Sequence, residues 1–255
     1  MKPSRLAARI IAAIVSLTLI VSAPIHAQGG PAAGAAGATP PVTLPLKTAR
    51  THTFTTTKGT WLSLDVSPDG QQIVFDLLGD LYTLPIAGGK ATRITSGMGY
   101  DVQPRYSPDG KRVVFVSDRS GGENVWIQSL DGKDTTQLTQ GNNNQYVSPE
   151  WTPDGKYIIG SGKLQGVTTA FNWEKVQTAI RNKDFTGDED GIPVLKYESI
   201  KDAEVPVGLG PLHTQFGPDG FAYTSLFLDS AIAKWKLGTW EVVDKVPMSY
   251  NIGHL

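Results

Sequence analysis

"WLSLDVSPDGQQIVFDLLGDLYTLPIAGGKATRIT", residues 61–95, decides the reading of the fold. At its centre stands the turn Ser67-Pro68-Asp69-Gly70. Proline presets φ at the first central position, aspartate can bond the backbone ahead of it, and glycine takes the positive φ that closes a tight hairpin. The flanks supply the strands: "WLSLDV" before the turn, "QQIVFDLL" after it, then "DLYTLPI", a Gly-Gly turn and "ATRIT". The unit therefore reads as four short strands.

The same turn returns as "SPDG" at 107–110, "TPDG" at 152–155 and "GPDG" at 217–220, at intervals of about 40, 45 and 65 residues. The second copy repeats the whole order, with "NVWIQSL", "DGKD" and "TTQLT". A single such hairpin would suit a β-sandwich equally well. Four-stranded units recurring every 40 to 45 residues or so mark the blades of a β-propeller, where each twisted sheet packs its apolar face on the next around an axis. The fold class expected is all-β, a propeller of about four blades plus a partial one, incomplete or open. The repeat resembles the TolB-type, or PD40, variant of WD40-like propeller repeats.

The longest interval holds about 25 extra residues. Asn172 can cap a helix in which Trp173, Val176 and Ile180 share one face, with Glu174 in the first turn and Arg181 at the end. A short helix over 172–181 followed by a loop is expected between blades three and four. The loop "KDFTGDEDGIP", residues 183–193, suggests calcium through Asp188, Glu189 and Asp190. With Gly191 as the invariant glycine, however, Thr186 falls at the first ligand position and Tyr197 where a bidentate glutamate belongs. It reads as a solvated acidic loop. "MSYNIGHL", residues 248–255, looks like the first strand of a fifth blade.

The chain opens with Lys2, Arg5 and Arg9, runs apolar from Ile10 to Ala23 and offers small residues with a cut after Ala27, the pattern of a secretory signal peptide over 1–27. The apolar run is shorter than the roughly 18 residues of a spanning helix, so the expected product is periplasmic, with no membrane attachment after cleavage. Residues 28–51 are rich in Gly, Ala and Pro and read as a tether. With 23 basic and 24 acidic residues not clustered by sign, no nucleic-acid partner is expected. The sequence has no cysteine, which leaves histidine and carboxylates as the strong side-chain metal ligands. His26 falls in the signal peptide and His52 at the edge of the tether.

Two resemblances divide the folded part. Residues 52–141, through "GTWLSLDVSPDG", "GDLYTLPIAGG" and "QPRYSPDGKRVVFVSDRSGGENVWIQSLDG", look like the TolB-type propeller found ahead of exported amidohydrolases. Residues 142–255, as blades three and four plus the start of a fifth, resemble the N-terminal propeller of nitrous-oxide reductase. The motifs there are "PDGKYIIGSGKL", "FNWEKVQTAI", "GIPVLKYESIKDAEVPVGLGPLHTQF", "AYTSLFLDSAIAKW" and "WEVVDKVPMSYNIGHL".

In that family, histidines from several blades hold a multi-copper, sulfide-bridged cluster that reduces N2O. The resemblance implies that His213 of "GLGPLHT" and His254 of "IGHL" are copper ligands. They stand about one repeat apart, in or just before the first strands of successive blades. A further family ligand is missing, with Val147 near its place. The first strands of blades one and two hold no histidine, and no cysteine is available for a second copper centre. The expectation is an exported propeller fragment with a partial copper site, not catalytic alone. It would be completed by a protein partner or by the remainder of the propeller. The alternative is a TolB-like module for protein or ligand binding, or the leading part of an amidohydrolase.

Overall fold

The structure is a computed structural model that describes residues 50–255. The expected signal peptide, and the tether up to residue 49, lie outside the described residues. Four antiparallel sheets follow one another. Blade 1 is β1 (Leu64–Val66), β2 (Gln72–Leu77), β3 (Asp80–Pro85) and β4 (Thr92–Arg93). Blade 2 is β5 (Val102–Tyr106), β6 (Arg112–Ser117), β7 (Asn124–Ser129) and β8 (Thr135–Gln137). Blade 3 uses β9 (Tyr146–Trp151), β10 (Tyr157–Gly162), β11 (Val167–Asn172) and β14 (Lys201–Val205). Blade 4 is β15 (Pro211–Phe216), β16 (Phe221–Leu226), β17 (Ala231–Lys236) and β18 (Val242–Pro247).

The recurring turn works as its chemistry requires. In blade 1 the Ser67 hydroxyl donates to Asp69 Oδ1 at 2.6 Å, the Gln71 amide donates to the same oxygen at 3.0 Å, and Gly70 takes φ +69°. Blades 2 and 3 repeat it with Ser107–Asp109 and Thr152–Asp154. In blade 4 Gly217 replaces the hydroxyl residue, the Phe221 amide donates to Asp219 Oδ1 at a longer 3.3 Å, and Tyr223 and Lys234 reach Asp219 Oδ2 at 3.5 Å. Ser129 and Asp131 use the same device between β7 and β8, where the hydroxyl and the Lys133 amide hold the Asp131 carboxyl down at about 2.

Three apolar clusters fill the three junctions between consecutive blades. Val74 and Leu81 of blade 1 meet Tyr106, Val113, Phe115 and Trp126 of blade 2. Val114, Val125 and Ile127 of blade 2 meet Trp151, Ile158 and Phe171 of blade 3. Ile159, Ala170 and Val205 of blade 3 meet Ala222, Ala233 and Trp235 of blade 4. The central strands are thus apolar on both faces where they are covered on both, as in the buried run Val113–Val116 of β6. The first strands of neighbouring blades pack on one another, β1 on β5, β5 on β9 and β9 on β15, so they line the axis.

The insertion sits elsewhere than expected. It comprises α1 (Trp173–Asn182), β12 (Phe185–Glu189), β13 (Ile192–Leu195) and α2 (Tyr197–Ile200), and it interrupts blade 3 between its third and fourth strands instead of separating blades 3 and 4. The sequence hid this because β14, "KDAEV", is a polar outer strand without apolar alternation. The helix itself is as expected: the Asn172 side chain accepts from the Lys175 amide, and Val176 and Ala179 are buried in the junction of blades 2 and 3.

The segment read as an acidic loop is a β-hairpin. Asp190 and Gly191 both take positive φ, the conformation of a two-residue hairpin turn, and the Gly191 amide donates to Asp188 Oδ1 at 3.0 Å. β13 then pairs in parallel with β8, making blade 2 six-stranded and covering its outer edge. Residues 248–255 form a turn and coil in place of a strand, with no further strand among the described residues to pair with.

Candidate functional site

The axis-lining strands share a register that the turns set. Two residues before each turn stand Asp65, Arg105, Glu150 and Gln215; four residues before it stand Ser63, Gln103, Ser148 and His213. Each of β5, β9 and β15 carries a bulge at this depth, and Gln103 and Ser148 take positive φ there. A bulge turns a strand and re-aims its side chains, here near the axis.

Polar bonds stitch the ring from blade to blade. Arg105 Nε donates to Glu150 Oε2 at 2.9 Å and its Nη1 to the Leu64 and Pro104 carbonyls at 3.3 and 2.9 Å. The Tyr106 amide donates to Asp65 at 2.8 Å, and the Ser148 amide to the Gln103 side-chain oxygen at 2.7 Å. Asp76 accepts from the Ser63 amide in its own blade and from the Gln103 amide in the next. Burial pushes the Glu150 carboxyl above its usual range while the Arg105 charge opposes that shift.

His213 and His254 come together. Their ring centroids are 4.4 Å apart at an interplanar angle of 32°. One hydroxyl joins the two segments: Ser225 accepts from the His213 amide at 3.2 Å and donates to the Gly253 carbonyl at 2.9 Å. Burial, then the charge of His254, then that of Arg105 hold the His213 imidazole down at about 4, so it is neutral over the physiological range with a lone pair to offer.

The donor set limits what this pair can hold. Imidazole is a donor that suits soft or borderline metal ions, and this pair supplies two such groups at most. Among the described residues no group of three or more His, Cys, Asp or Glu is placed to hold a metal. Val147 pairs with Ser161 on β10 and offers no donor. The residues fit a two-imidazole site and do not fit a multi-metal cluster.

Sequence reasoning missed Asp65, Arg105 and Glu150. Their signal was available, since the position two before every turn is polar or charged: Asp65, Arg105, Glu150 and Gln215.

Sheets of this order, converging on a polar axis, define a β-propeller. A model of the TolB beta propeller domain, PD40, matches residues 39–189, more than half of the sequence, and the chain belongs to that family. The match runs through the first three strands of blade 3 and into the insertion, short of β14.

Curated relatives resemble parts of the chain. The nitrous-oxide reductase of Ralstonia nicotianae (strain ATCC BAA-1114 / GMI1000) is 36% identical over 115 residues, covering 41% of this chain and 16% of the reductase. That of Cupriavidus necator (strain H16) is 38% identical over 118 residues, with the same two shares. An uncharacterized protein of Agrobacterium fabrum (strain C58) is 32% identical over 97 residues, covering 36% of this chain and 33% of that protein. The chain therefore spans about a sixth of the length of the reductases it matches. No helix among the described residues is long and apolar enough to cross a membrane.

Proposed function

We propose that the chain is an exported propeller segment, acting in the periplasm, whose axial pair His213 and His254 binds copper. The observation that carries this reading is the 4.4 Å approach of two imidazoles, one on β15 and one on the segment after β18, the first kept neutral by burial. The partial likeness to nitrous-oxide reductases supports copper over other imidazole-preferring metals. Bound copper would supply a Lewis-acidic, redox-active centre. His213 and His254 would hold it, Ser225 fixes the spacing of their backbones, and the Arg105–Glu150 pair keeps the neighbouring charge balanced.

Two imidazoles do not assemble a cluster, so the chain by itself does not reduce N2O. Copper uptake measured by elemental analysis after loading and dialysis tests the reading. The wild-type chain retains copper, and the chain carrying both His213→Ala and His254→Ala does not; equal retention would refute the ligand assignment. Cell fractionation tests export, with the chain expected in the periplasmic fraction.

Membership in the TolB-type family favours a second reading, a non-catalytic binding module or the leading propeller of a hydrolase. That reading predicts partner capture unaffected by removing both histidines.

A further inference from the structure

We propose that the cleft between the segment following β8 and the β12–β13 hairpin binds a neutral sugar. The cleft encloses about 330 Å³ at the outer edge of blade 2, where the insertion joins the sheet. It is built from β8, β12 and β13, whereas the histidine pair belongs to β15 and the segment after β18.

Two side chains in its wall have hydrogen-bonding capacity that the protein leaves unused. Gln137 is completely buried, and its Nε2 donates to Ser120 Oγ at 2.8 Å and to the Thr139 carbonyl at 2.6 Å. Its Oε1 has no donor among the described residues, an arrangement that buried acceptors rarely tolerate. Ser120 is the converse case. It accepts from Gln137 Nε2 and from Asn124 Nδ2, at 2.8 and 3.1 Å, so both lone pairs are taken and its proton meets no acceptor among the described residues. A free acceptor and a free donor on two bonded side chains match an alcohol group, which both donates and accepts.

The rest of the wall has the same character. The Thr186 hydroxyl donates to Gln140 Oε1 at 3.1 Å, tying the hairpin to the segment after β8 and leaving Gln140 Nε2 to donate. Asn142 adds a second exposed amide, and Asp188 and Glu189 add carboxylate acceptors. Asn124 and Asn144 fix this segment, their Nδ2 groups donating to the Gly141 and Gln140 carbonyls at 3.1 and 3.0 Å, so the amides are placed before a ligand arrives. The lining also excludes other classes of ligand. It holds no lysine or arginine for an anion, and Val194 is its one large apolar side chain. The two carboxylates disfavour an acidic sugar, while each hydroxyl of a neutral one can donate to a carboxylate and accept from an amide. The volume stands at the small end of the roughly 300–1,000 Å³ of ligand clefts, which suits a monosaccharide or the end of a short saccharide.

Chemical-shift titration of the 15N-labelled chain with glucose, galactose, mannose and N-acetylglucosamine, each taken through the millimolar range, tests this, with spermidine as a cationic probe. At least one sugar is expected to give saturable shifts centred on Ser120, Gln137 and Thr186. The double variant Gln140→Ala/Asn142→Ala alters only exposed side chains and should weaken that sugar about tenfold, the worth of one or two hydrogen bonds. Gln137→Leu should weaken it at least as much; circular dichroism checks its folding, and the double variant decides if it does not fold. His213→Ala/His254→Ala should bind the sugar as the wild type does.

Saturable shifts with spermidine and with no sugar would overturn the proposal and assign the cleft to a cationic ligand. No saturable shift with any probe would overturn it and leave a cleft that holds water only. A sugar response unchanged by the double variant, or lost when both histidines are replaced, would place the binding elsewhere.

Discussion

Arg105 Nε lies 2.9 Å from Glu150 Oε2, joining the innermost strands of blades 2 and 3. Both side chains are about three-quarters shielded from solvent, at 21% and 24% exposure. The pair therefore holds charge where water is scarce. Truncating Arg105 to methionine would leave the Glu150 carboxylate uncompensated, at a cost of about 1–3 kcal/mol. Urea denaturation should show that loss, and adding Glu150→Gln should recover most of it.

The same pair predicts a pH dependence. Burial raises the folded-state affinity of Glu150 for its proton above that of the unfolded chain. The native state then binds more protons than the unfolded state just above the usual carboxylate pKa, so this contribution to stability falls as pH rises through that window. Without Arg105 the upward shift grows. The stability gap between wild type and Arg105→Met should therefore be widest at neutral pH and narrow as pH falls toward 4. A gap that is constant with pH would show that Glu150 does not respond to Arg105.

Helix α1 supplies two opposite predictions. Replacing Asn172 with alanine removes the side-chain acceptor for the Lys175 amide and should cost about 1 kcal/mol. Lys183 closes the helix with φ +56°, a left-handed conformation that costs a side-chain-bearing residue energy. Lys183→Gly should stabilise by about 0.5–1 kcal/mol. Thermal denaturation of the two variants should shift in opposite directions.

Trp235 is fully buried, and its indole Nε1 donates to the Thr224 hydroxyl at 2.9 Å, which in turn lies 2.8 Å from the Thr214 hydroxyl. Trp235→Phe loses the bond and part of the volume and should cost about 1–3 kcal/mol in chemical denaturation.

The blades were legible because their punctuation is local. A Pro-Asp-Gly turn fixes a hairpin within a few residues, and four copies fix the architecture. The helix was legible for the same reason, through Asn172 and the face formed by Trp173, Val176 and Ile180. What escaped was set by distant contacts. Nothing near "IPVL" announces that Val194 will pair in parallel with Gln137, and "KDAEV" joins blade 3 only because β11 offers it an edge.

At the site, the depth of His213 followed from its place before the fourth turn. The axial ion pair needed the repeat to be read position by position, comparing Asp65, Arg105, Glu150 and Gln215. The spacing of about one repeat pointed His254 to the axis as well, but residues 248–255 reach His213 as a turn and coil and not as a blade strand.

Electron paramagnetic resonance of the copper(II)-loaded chain tests the central claim most directly. Nitrogen coupling from two imidazoles is predicted for the wild type, from one in each of His213→Ala and His254→Ala, and no specific signal when both are replaced. A wild-type spectrum that survives both substitutions unchanged would contradict it.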